Sequence, residues 1–571
     1  MNEPALLLVG PSELATAGRL EKILAVFGVG FTRKTVAEFL AAGEDDQARV
    51  LCSSAVFLEL AAALEKNPAI AKKLRSAFVF AGDDPVSFTK LARQITRDAT
   101  ASLVPVGGGA QWKVTDQSPE YCQAMSGVGA TSKNSEEAAL VFAQARPRAT
   151  RIISRGDGAA LARFDFLSVP VFLSSGGIVD VGAPLAAREF DIREHFLSAV
   201  PVVLYVRWAF AEICWQPPEI CACLVVDDPL LRPRYGFLRF QHLLALMERV
   251  NFSTSIAFIP WNWKRSARTT VRLFQENPNR LSLSVHGCDH SDGEFGSRNR
   301  ARLAWKSRLA LQRMAQHEAM TGLRHDPVMV FPQGIFSEAA VAALKHSGFT
   351  GVVNSDVVSA DPPPRPITIA DYWNVAVMRY SDFPIYTRRN PWAGVENFAF
   401  DLLLGKPCIV AVHHNDCHDD GRHLVAFLEQ LNRLNARLRW TNLAEVVRRS
   451  FRQRELSTQA VEVEIFGCEA RVENTSGRKK LFRFRKRESA PDTIAEIRSG
   501  SQPVKWTAAE NHIHFEIELN PRESQTIVIR FHESPADEFT GENLLYRART
   551  MARRFLCEVR DNYLVGKSFS E

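Results

Sequence analysis

The chain has 571 residues, a length that predicts several domains rather than one core. Hydrophobic residues make up 46% of it and charged residues 23%, which is typical of a soluble globular protein. The net charge of +6 is small for this length, and the densest basic run, 478–487, alternates with phenylalanine as on a half-exposed strand. These features disfavour a nucleic-acid-binding protein.

The cysteines and the apolar stretches indicate in which cellular compartment the protein is expected. The ten cysteines are scattered without a C-x-x-C pair, which suits a reducing environment. The first residues lack a basic region followed by a long apolar run, so no signal peptide is predicted. The longest apolar stretch, 196–206, is too short to cross a bilayer. We therefore expect a cytoplasmic protein without a transmembrane segment.

Residues 1–215 alternate short apolar runs with amphipathic helical patterns. This alternation predicts an α/β domain of the Rossmann or flavodoxin type, with a parallel sheet covered on both faces. The glycine clusters 107–109 and 127–129 lack the spacing of a phosphate-binding loop, so tight turns at strand ends are the preferred interpretation. The role of this domain cannot be derived from its residues. Its strands are predicted at 5–10, 48–54, 76–82, 101–107, 149–154 and 169–175.

Residues 216–452 repeat the alternation with polar groups at the strand ends. Seven or eight β/α units in this length predict a distorted or incomplete parallel barrel. Its strands are predicted at 221–226, 253–259, 281–285, 328–331, 350–354, 374–380, 408–413 and 436–440.

The C-terminal part changes pattern twice. Residues 458–533 alternate apolar and polar side chains with a period of two, which predicts a small β-sandwich. Residues 540–571 contain a basic amphipathic helix. We prefer packing of this helix against the body, with an oligomer contact or a membrane surface as the alternatives.

Chemistry-bearing residues gather at the predicted strand ends of the barrel. Asp227 and Asp228 follow one strand, and His286 and His290 follow another. One carboxylate and two imidazoles form a ligand set for a divalent metal, with Zn²⁺ preferred over Ca²⁺ or Mg²⁺. The remaining carboxylate would be free to handle a proton. His413 ends a further strand of the same barrel.

The order of these motifs resembles that of the NodB-homology polysaccharide deacetylases. The resemblance covers residues 216–452 and consists of strand–Asp-Asp, strand–H-x-x-x-H, strand–Pro-x-Gly and strand–His. It implies a distorted (β/α) barrel that removes N-acetyl groups from sugars. It also implies that Asp228, His286 and His290 bind the metal, that Asp227 is the general base and that His413 is the general acid.

The chain departs from that family pattern at three places. Val330 occupies the position of an arginine that orients the base in that family, and Arg379 is the candidate to replace it. Pro229 stands where the family usually has glycine, and H-G-C-D-H replaces the usual second motif. These changes leave the sugar substrate unidentified.

Further residues at the same strand ends are candidates for contact with a sugar. Trp261 and Trp263 could stack on a sugar ring or simply cap the barrel rim. His418 and His423 lie in a histidine-rich segment for which we prefer an ordinary polar loop to a second metal site. The substrate-binding candidates are Trp261, Trp263, Gln333, Gly334 and His414.

The sequence thus predicts a metal-dependent hydrolase of N-acetylated sugars, oligosaccharides or glycan precursors. One alternative is a glycoside hydrolase in which Asp227 works with Asp356, Asp382 or Asp416. Another is a non-catalytic carbohydrate-binding protein on a deacetylase scaffold. The C-terminal helix could also form the contact of a homo-oligomer, and this alternative is retained.

Overall fold

The structure is a computed structural model that describes residues 4–11, 13–42, 47–143, 149–533, 539 and 541–564. The predicted C-terminal segment 540–571 therefore lies partly outside the described residues, at 540 and 565–571.

An N-terminal sheet of eleven strands is followed by a long buried helix. Its strands are β1 (Ala5–Leu8), β2 (Phe31–Lys34), β3 (Ala48–Ser53), β4 (Leu74–Phe80), β5 (Ser102–Val106), β6 (Gln111–Val114), β7 (Gly129–Thr131), β8 (Glu137–Val141), β9 (Ala149–Arg155), β10 (Gly158–Phe166) and β11 (Val169–Ser174). Its helices are α1 (Leu14–Val26), α2 (Val36–Ala41), α3 (Ser54–Lys66), α4 (Pro85–Thr96), α5 (Pro119–Cys122) and α6 (Phe196–Ala209).

This sheet is mixed, which corrects the prediction of a parallel sheet throughout. The strand order is β2-β1-β3-β4-β11-β10-β9-β6-β7, with β8 joining β10 to β5. Strands β2, β1, β3, β4 and β11 are parallel, whereas β10, β9, β8, β6 and β7 pair in antiparallel fashion. Short connections such as the turn from β9 to β10 cannot hold the crossover that parallel neighbours need.

The central part is an eight-stranded parallel sheet wrapped by helices. Its strands are β12 (Ile220–Asp227), β15 (Thr254–Phe258), β16 (Leu281–His286), β17 (Val328–Val330), β18 (Gly351–Asn354), β19 (Ile385–Thr387), β20 (Cys408–His413) and β21 (Leu438–Trp440), and a separate hairpin consists of β13 (Arg234–Tyr235) and β14 (Leu238–Arg239). Its helices are α7 (Phe240–Val250), α8 (Arg268–Glu276), α9 (Arg300–Thr321), α10 (Glu338–Lys345), α11 (Ile369–Trp373), α12 (Val395–Leu404), α13 (Arg422–Arg433) and α14 (Leu443–Arg449).

The sheet curls so that its two ends meet. The order is β19-β18-β17-β16-β15-β12-β20, with β21 also on β12. The edge formed by β19 reaches β20 through one parallel bridge between Arg389 and Val410. A strand predicted at 374–380 is wrong, because within it Val377 makes only an isolated bridge to Ile385. The barrel strand at this place is β19, and the segment after it enters the site described below.

The C-terminal part contains two facing sheets and a terminal helix. The sheet orders are β22-β23-β25-β29-β28 and β24-β30-β26-β27. Both sheets contribute alternate apolar side chains to one core, including Val463, Phe484, Ile513 and Ile529. The elements are β22 (Arg452–Ser457), β23 (Ala460–Glu464), β24 (Glu469–Glu473), β25 (Lys480–Arg487), β26 (Ile494–Ser499), β27 (Gln502–Pro503), β28 (Trp506–Ala509), β29 (His512–Leu519), β30 (Ser524–Phe531) and α15 (Leu544–Val559).

Helix α6 joins the N-terminal sheet to the barrel. Its apolar residues surround the whole helix, as expected for a helix buried on all sides. Arg207 near its end is buried and donates hydrogen bonds to the carbonyls of Leu403 and Trp215. One apolar cluster runs from Leu7 through α6 to Val412. The first sheet and the barrel therefore share a core.

Within the described residues, every helix is either too short or too polar to cross a membrane.

Candidate active site

Three potential metal ligands meet at the carboxyl ends of β12 and β16. Asp228 directly follows β12, His286 ends β16, and His290 lies in the loop after it. The Asp228 Oδ1 atom is 3.4 Å from His286 Nε2 and 3.0 Å from His290 Nε2. These ligand atoms all lie within 4.8 Å of one another. The parallel strands thus bring together side chains that are about 60 residues apart in sequence.

The donor set and its surroundings fit a divalent cation. The Nδ1 atom of His286 lies 2.9 Å from the Val330 carbonyl oxygen, which leaves Nε2 directed at the site. Asp228 Oδ1 is buried, and although both Nε2 atoms lie near it, neither has the geometry of a hydrogen bond to it. Burial opposes the charged form, but His286 and His290 hold the pKa of Asp228 well below its usual value. A buried, charged carboxylate oxygen without a hydrogen-bond partner is costly, and a bound cation would satisfy it.

Two of these ligands have a left-handed backbone. The φ angle is +80° at Asp228 and +55° at His290. Non-glycine residues seldom adopt such angles, and those that do concentrate at functional sites. The backbone at Asp228 and His290 is therefore locally strained, and this conformation positions their two side chains.

A buried carboxylate shapes the loop that carries the second histidine. Glu294 accepts hydrogen bonds from the backbone N–H groups of Cys288, Asp289 and His290. Lys306 of α9 lies 2.6 Å from Asp289 Oδ2 and 3.4 Å from Glu294 Oε2. We call Asp289, Glu294 and Lys306 the loop ion network. It fixes the backbone from which His290 projects.

Asp227 is held by an arginine that the sequence analysis did not identify. Arg388 donates two hydrogen bonds of 2.7 Å to the two carboxylate oxygens of Asp227. Arg379, predicted for this role, instead lies 3.6 Å from Asp371. The correction follows from the fold, because residues 374–380 do not form the barrel strand, whereas Arg388 directly follows β19.

Electrostatics keep Asp227 charged. The side chain is buried, and burial alone would raise its pKa, but the Arg388 guanidinium and the His286 ring lower the pKa below the usual value. His413 ends the neighbouring strand β20, with Nε2 4.0 Å from Asp227 Oδ2 and a half-exposed ring. A charged base and an accessible imidazole therefore lie side by side next to the ligand cluster.

The predicted sugar contacts occupy the rim of this site. Trp261 and Trp263 are half-buried, with Arg313 and Lys264 respectively over their rings. Gln333 is exposed, and its side-chain oxygen accepts from the Gly293 N–H at 3.3 Å. The Gly334 carbonyl accepts from the Asn354 amide at 2.9 Å. These positions are compatible with contacts to a ligand and remain predictions.

His414, a predicted substrate contact, packs against the C-terminal segment of the chain. It is buried, its Nε2 lies 3.6 Å from Asp561 of the C-terminal segment, and its ring meets the edge of Tyr235. These contacts pack His414 against the C-terminal segment, and its contact with a substrate stays a prediction. Within the described part of the chain, Asp228, His286 and His290 are the one group of three or more such side chains with metal-ligand geometry, and neither His418 nor His423 belongs to it.

Several residues at the site could not be identified from the sequence alone. Arg388 follows a three-residue strand that is too short for a periodic signal. Lys306 and Glu294 contact one another only in the folded chain, and Tyr546 reaches them from α15, 240 residues after Lys306. The signal that could have revealed Arg388 is its place directly after the apolar run of β19, as with the other site residues.

Comparisons with known proteins give one kind of match. No family model and no curated protein matches the chain. Solved structures that match about two-fifths of it include family 4 carbohydrate esterases and polysaccharide deacetylases.

Three of these structures illustrate the level of similarity. A protein from Mycobacterium smegmatis assigned as a polysaccharide deacetylase is 12% identical, with 40% of this chain and 92% of that chain covered and a TM-score of 0.29. A family 4 carbohydrate esterase from Streptomyces lividans in complex with acetate is 12% identical, with 38% and 87% covered and a TM-score of 0.23. A family 4 acetyl xylan esterase from Clostridium thermocellum in complex with a cobalt ion is 10% identical, with 40% and 89% covered and a TM-score of 0.25.

Proposed function

We propose that the chain is a metal-dependent hydrolase that removes N-acetyl groups from a sugar, an oligosaccharide or a glycan precursor. The observation that carries this proposal is the meeting of two groups of residues at one edge of the barrel. Asp228, His286 and His290 offer three ligand atoms, and Asp227, Arg388 and His413 lie beside them. Metal ligands next to a paired base and an accessible imidazole suit hydrolysis of an amide.

The metal would be held by Asp228, His286 and His290, with Zn²⁺ favoured by the imidazole donors. Once bound, it supplies Lewis acidity at the site. The remaining steps belong to side chains of this protein. Asp227 is charged and accepts a proton from the attacking water. Arg388 keeps the carboxylate of Asp227 in one orientation through its two hydrogen bonds.

His413 is the candidate acid for the second proton transfer. Its ring is half-exposed, so it can reach a substrate bound over the site. In the protonated form it would donate to the departing amine nitrogen as the C–N bond breaks. Its backbone N–H donates to Asp416 at 2.8 Å, which fixes the point where β20 ends. The acetyl group leaves as acetate, and the sugar keeps its free amine.

The contacts of the acidic residues disfavour the glycoside hydrolase. Asp356 lies 2.9 Å from Arg188, and Asp382 is buried against Arg487 and Ser489 of the C-terminal sheets. Asp416 caps the end of β20. A glycosidase also needs a carboxylic acid with a raised pKa; burial raises the pKa of Asp356, but that carboxylate is paired with Arg188, and the pKa of Asp227 is lowered.

Metal content and product analysis test the proposal. The purified protein should contain about one divalent metal per chain, and His286→Ala should lose it. Incubation with chitooligosaccharides should release acetate without new reducing ends. Asp420→Asn, in an exposed position of the nearby loop, is the matched control and should keep both properties. A metal-free protein, or glycan binding that is indifferent to chelators and to Asp227→Asn, would favour the non-catalytic alternative.

A further inference from the structure

Helix α15 packs against the barrel with polar rather than apolar side chains. The Tyr546 hydroxyl accepts a hydrogen bond from Lys306 and shares one with the Ser291 hydroxyl, and Glu558 forms an ion pair with Arg265. Asp561, in the turn after the helix, accepts from the Tyr235 hydroxyl at 2.8 Å. The buried residues of α15 itself are Thr550 and Arg554. The helix is thus attached through its polar side.

The opposite side of the helix is apolar and exposed. At about 100° per residue these side chains share one face. The exposed fractions of its large side chains lie between 60% and 81%. The apolar face consists of Leu544, Leu545, Ala548, Met551, Ala552, Phe555 and Leu556, with Tyr563 beyond the end of the helix. An apolar surface of this kind marks a place where another molecule binds.

Arginines border the apolar face on both sides. Arg547 lies along one edge, and Arg549, Arg553 and Arg560 lie along the other. Arg547 and Arg549 are exposed and form no ion pair with the described residues. The acidic residues of this segment, Glu558 and Asp561, are turned inward and paired. The outward side therefore combines a broad apolar face with unpaired positive charge.

We propose that the apolar face of α15 binds peripherally to a membrane surface that contains anionic lipids. Helices that lie in the interface plane combine leucine, phenylalanine or methionine on one side with flanking arginine or lysine. The apolar side chains enter the region between headgroups and acyl chains, while the arginines contact anionic headgroups. The helix is about 24 Å long, which is enough for a continuous contact.

A second copy of the chain fits this face less well. In a two-fold pair the same face meets itself, so arginines of one helix would approach arginines of the other. No outward acidic side chain of α15 is available among the described residues to compensate them. Charge complementarity therefore selects an anionic surface over self-association.

Vesicle co-sedimentation of the full chain tests the proposal. Vesicles of phosphatidylglycerol and phosphatidylcholine in equal parts should bind the protein, and phosphatidylcholine alone should bind it at least 10-fold less. Binding to the vesicles that contain phosphatidylglycerol should also be weaker in 0.5 M NaCl, because salt screens the attraction between the arginines and the anionic headgroups. The double variant Phe555→Asp/Leu556→Asp should lose binding, and Arg547→Gln/Arg549→Gln should weaken it.

The matched control places the same two charges elsewhere. Leu14→Asp/Val86→Asp also replaces two exposed apolar residues, at 61% and 62% exposure, in the N-terminal part of the chain. It should bind vesicles like the wild type. Absence of vesicle binding by the wild type would overturn the proposal. Equal loss of vesicle binding in the control variant would also overturn it. The same holds if the protein is a dimer in solution and Phe555→Asp/Leu556→Asp dissociates the dimer without changing vesicle binding.

Discussion

The pair formed by Arg388 and Asp227 allows a sharp test at the scale of single residues. Arg388→Met would leave the carboxylate of Asp227 buried without its partner, and loss of one member of a buried pair costs about 3–5 kcal/mol. Protonation of Asp227 would relieve part of this cost but remove the base. We therefore expect acetate release to fall by roughly 100-fold or more, together with a lower free energy of unfolding in urea.

Arg379→Met is the control for this prediction. Arg379 is partly exposed and faces Asp371 at 3.6 Å, so its loss should cost less than about 1 kcal/mol and leave activity near that of the wild type. A larger effect at Arg379 than at Arg388 would contradict the assignment of Arg388 to Asp227.

His317 of α9 gives the protein a predictable pH dependence. The ring is buried beside Phe258, and burial lowers its pKa from 6.5 to about 4. A lowered histidine pKa means that the unfolded chain binds the proton more readily. Stability from this group is therefore complete above about pH 6.5 and is lost as the pH falls towards 4.

The variant His317→Gln should remove this dependence while keeping an acceptor for the Ser266 hydroxyl. Between pH 7 and pH 5 the wild type should lose about 2 kcal/mol of unfolding free energy more than the variant. Urea unfolding of both proteins at the two pH values provides the measurement. Parallel losses in the two proteins would show that His317 titrates normally.

The grouping of Asp228, His286 and His290 could be predicted from the sequence, whereas the residues that support them could not. Asp228, His286 and His290 each follow a clear apolar run, so strand ends alone bring them to one edge. Arg388 follows a strand of three residues, which gives no periodic signal. Val330 stands in the sequence where an arginine was expected, and only the folded chain shows that Arg388 binds Asp227.

At the scale of elements, α15 is linked to the loop that carries His290. The Tyr546 hydroxyl lies 2.6 Å from Lys306 Nζ and 3.0 Å from Asp289 Oδ2, within the loop ion network. Tyr546→Phe removes these contacts and keeps the ring. We expect metal affinity to fall by about 10-fold, since groups that hold ligand-bearing segments tune affinity on this scale.

Metal titration of the apo-protein would measure this change. Tyr563→Phe serves as the control, because Tyr563 lies in the same segment but is 73% exposed. Unchanged affinity in Tyr546→Phe would show that the helix does not support the loop.

Element prediction was best for the helices of the barrel, whereas the nine-residue strand β10 was not predicted. The amphipathic patterns predict helices at 237–250, 268–275, 299–317, 337–346 and 422–434, and the bounds of α7, α8, α9, α10 and α13 lie within four residues of these. The mixed N-terminal sheet was missed because antiparallel and parallel strands have similar apolar runs, and the local indications were short turns such as those between β9 and β10 and between β10 and β11. Strand β19 was replaced in the prediction by a neighbouring apolar run, 374–380.

At the scale of the whole molecule, the shared core predicts cooperative unfolding. Helix α6 is buried on all sides between the N-terminal sheet and the barrel, and Arg454 donates to the Gly28 carbonyl from the C-terminal sheets. We expect one main calorimetric transition, with a van't Hoff enthalpy close to the calorimetric enthalpy. Two well-separated transitions would show that the parts unfold independently.

The position of Tyr546 has a consequence for energetics over the whole molecule. This residue belongs both to the helix with the exposed apolar face and to the network that holds His290. If the two regions are energetically linked, the linkage must be reciprocal. Any factor by which anionic vesicles change the metal dissociation constant must then equal the factor by which metal changes vesicle affinity. Two independent titrations can close this thermodynamic cycle.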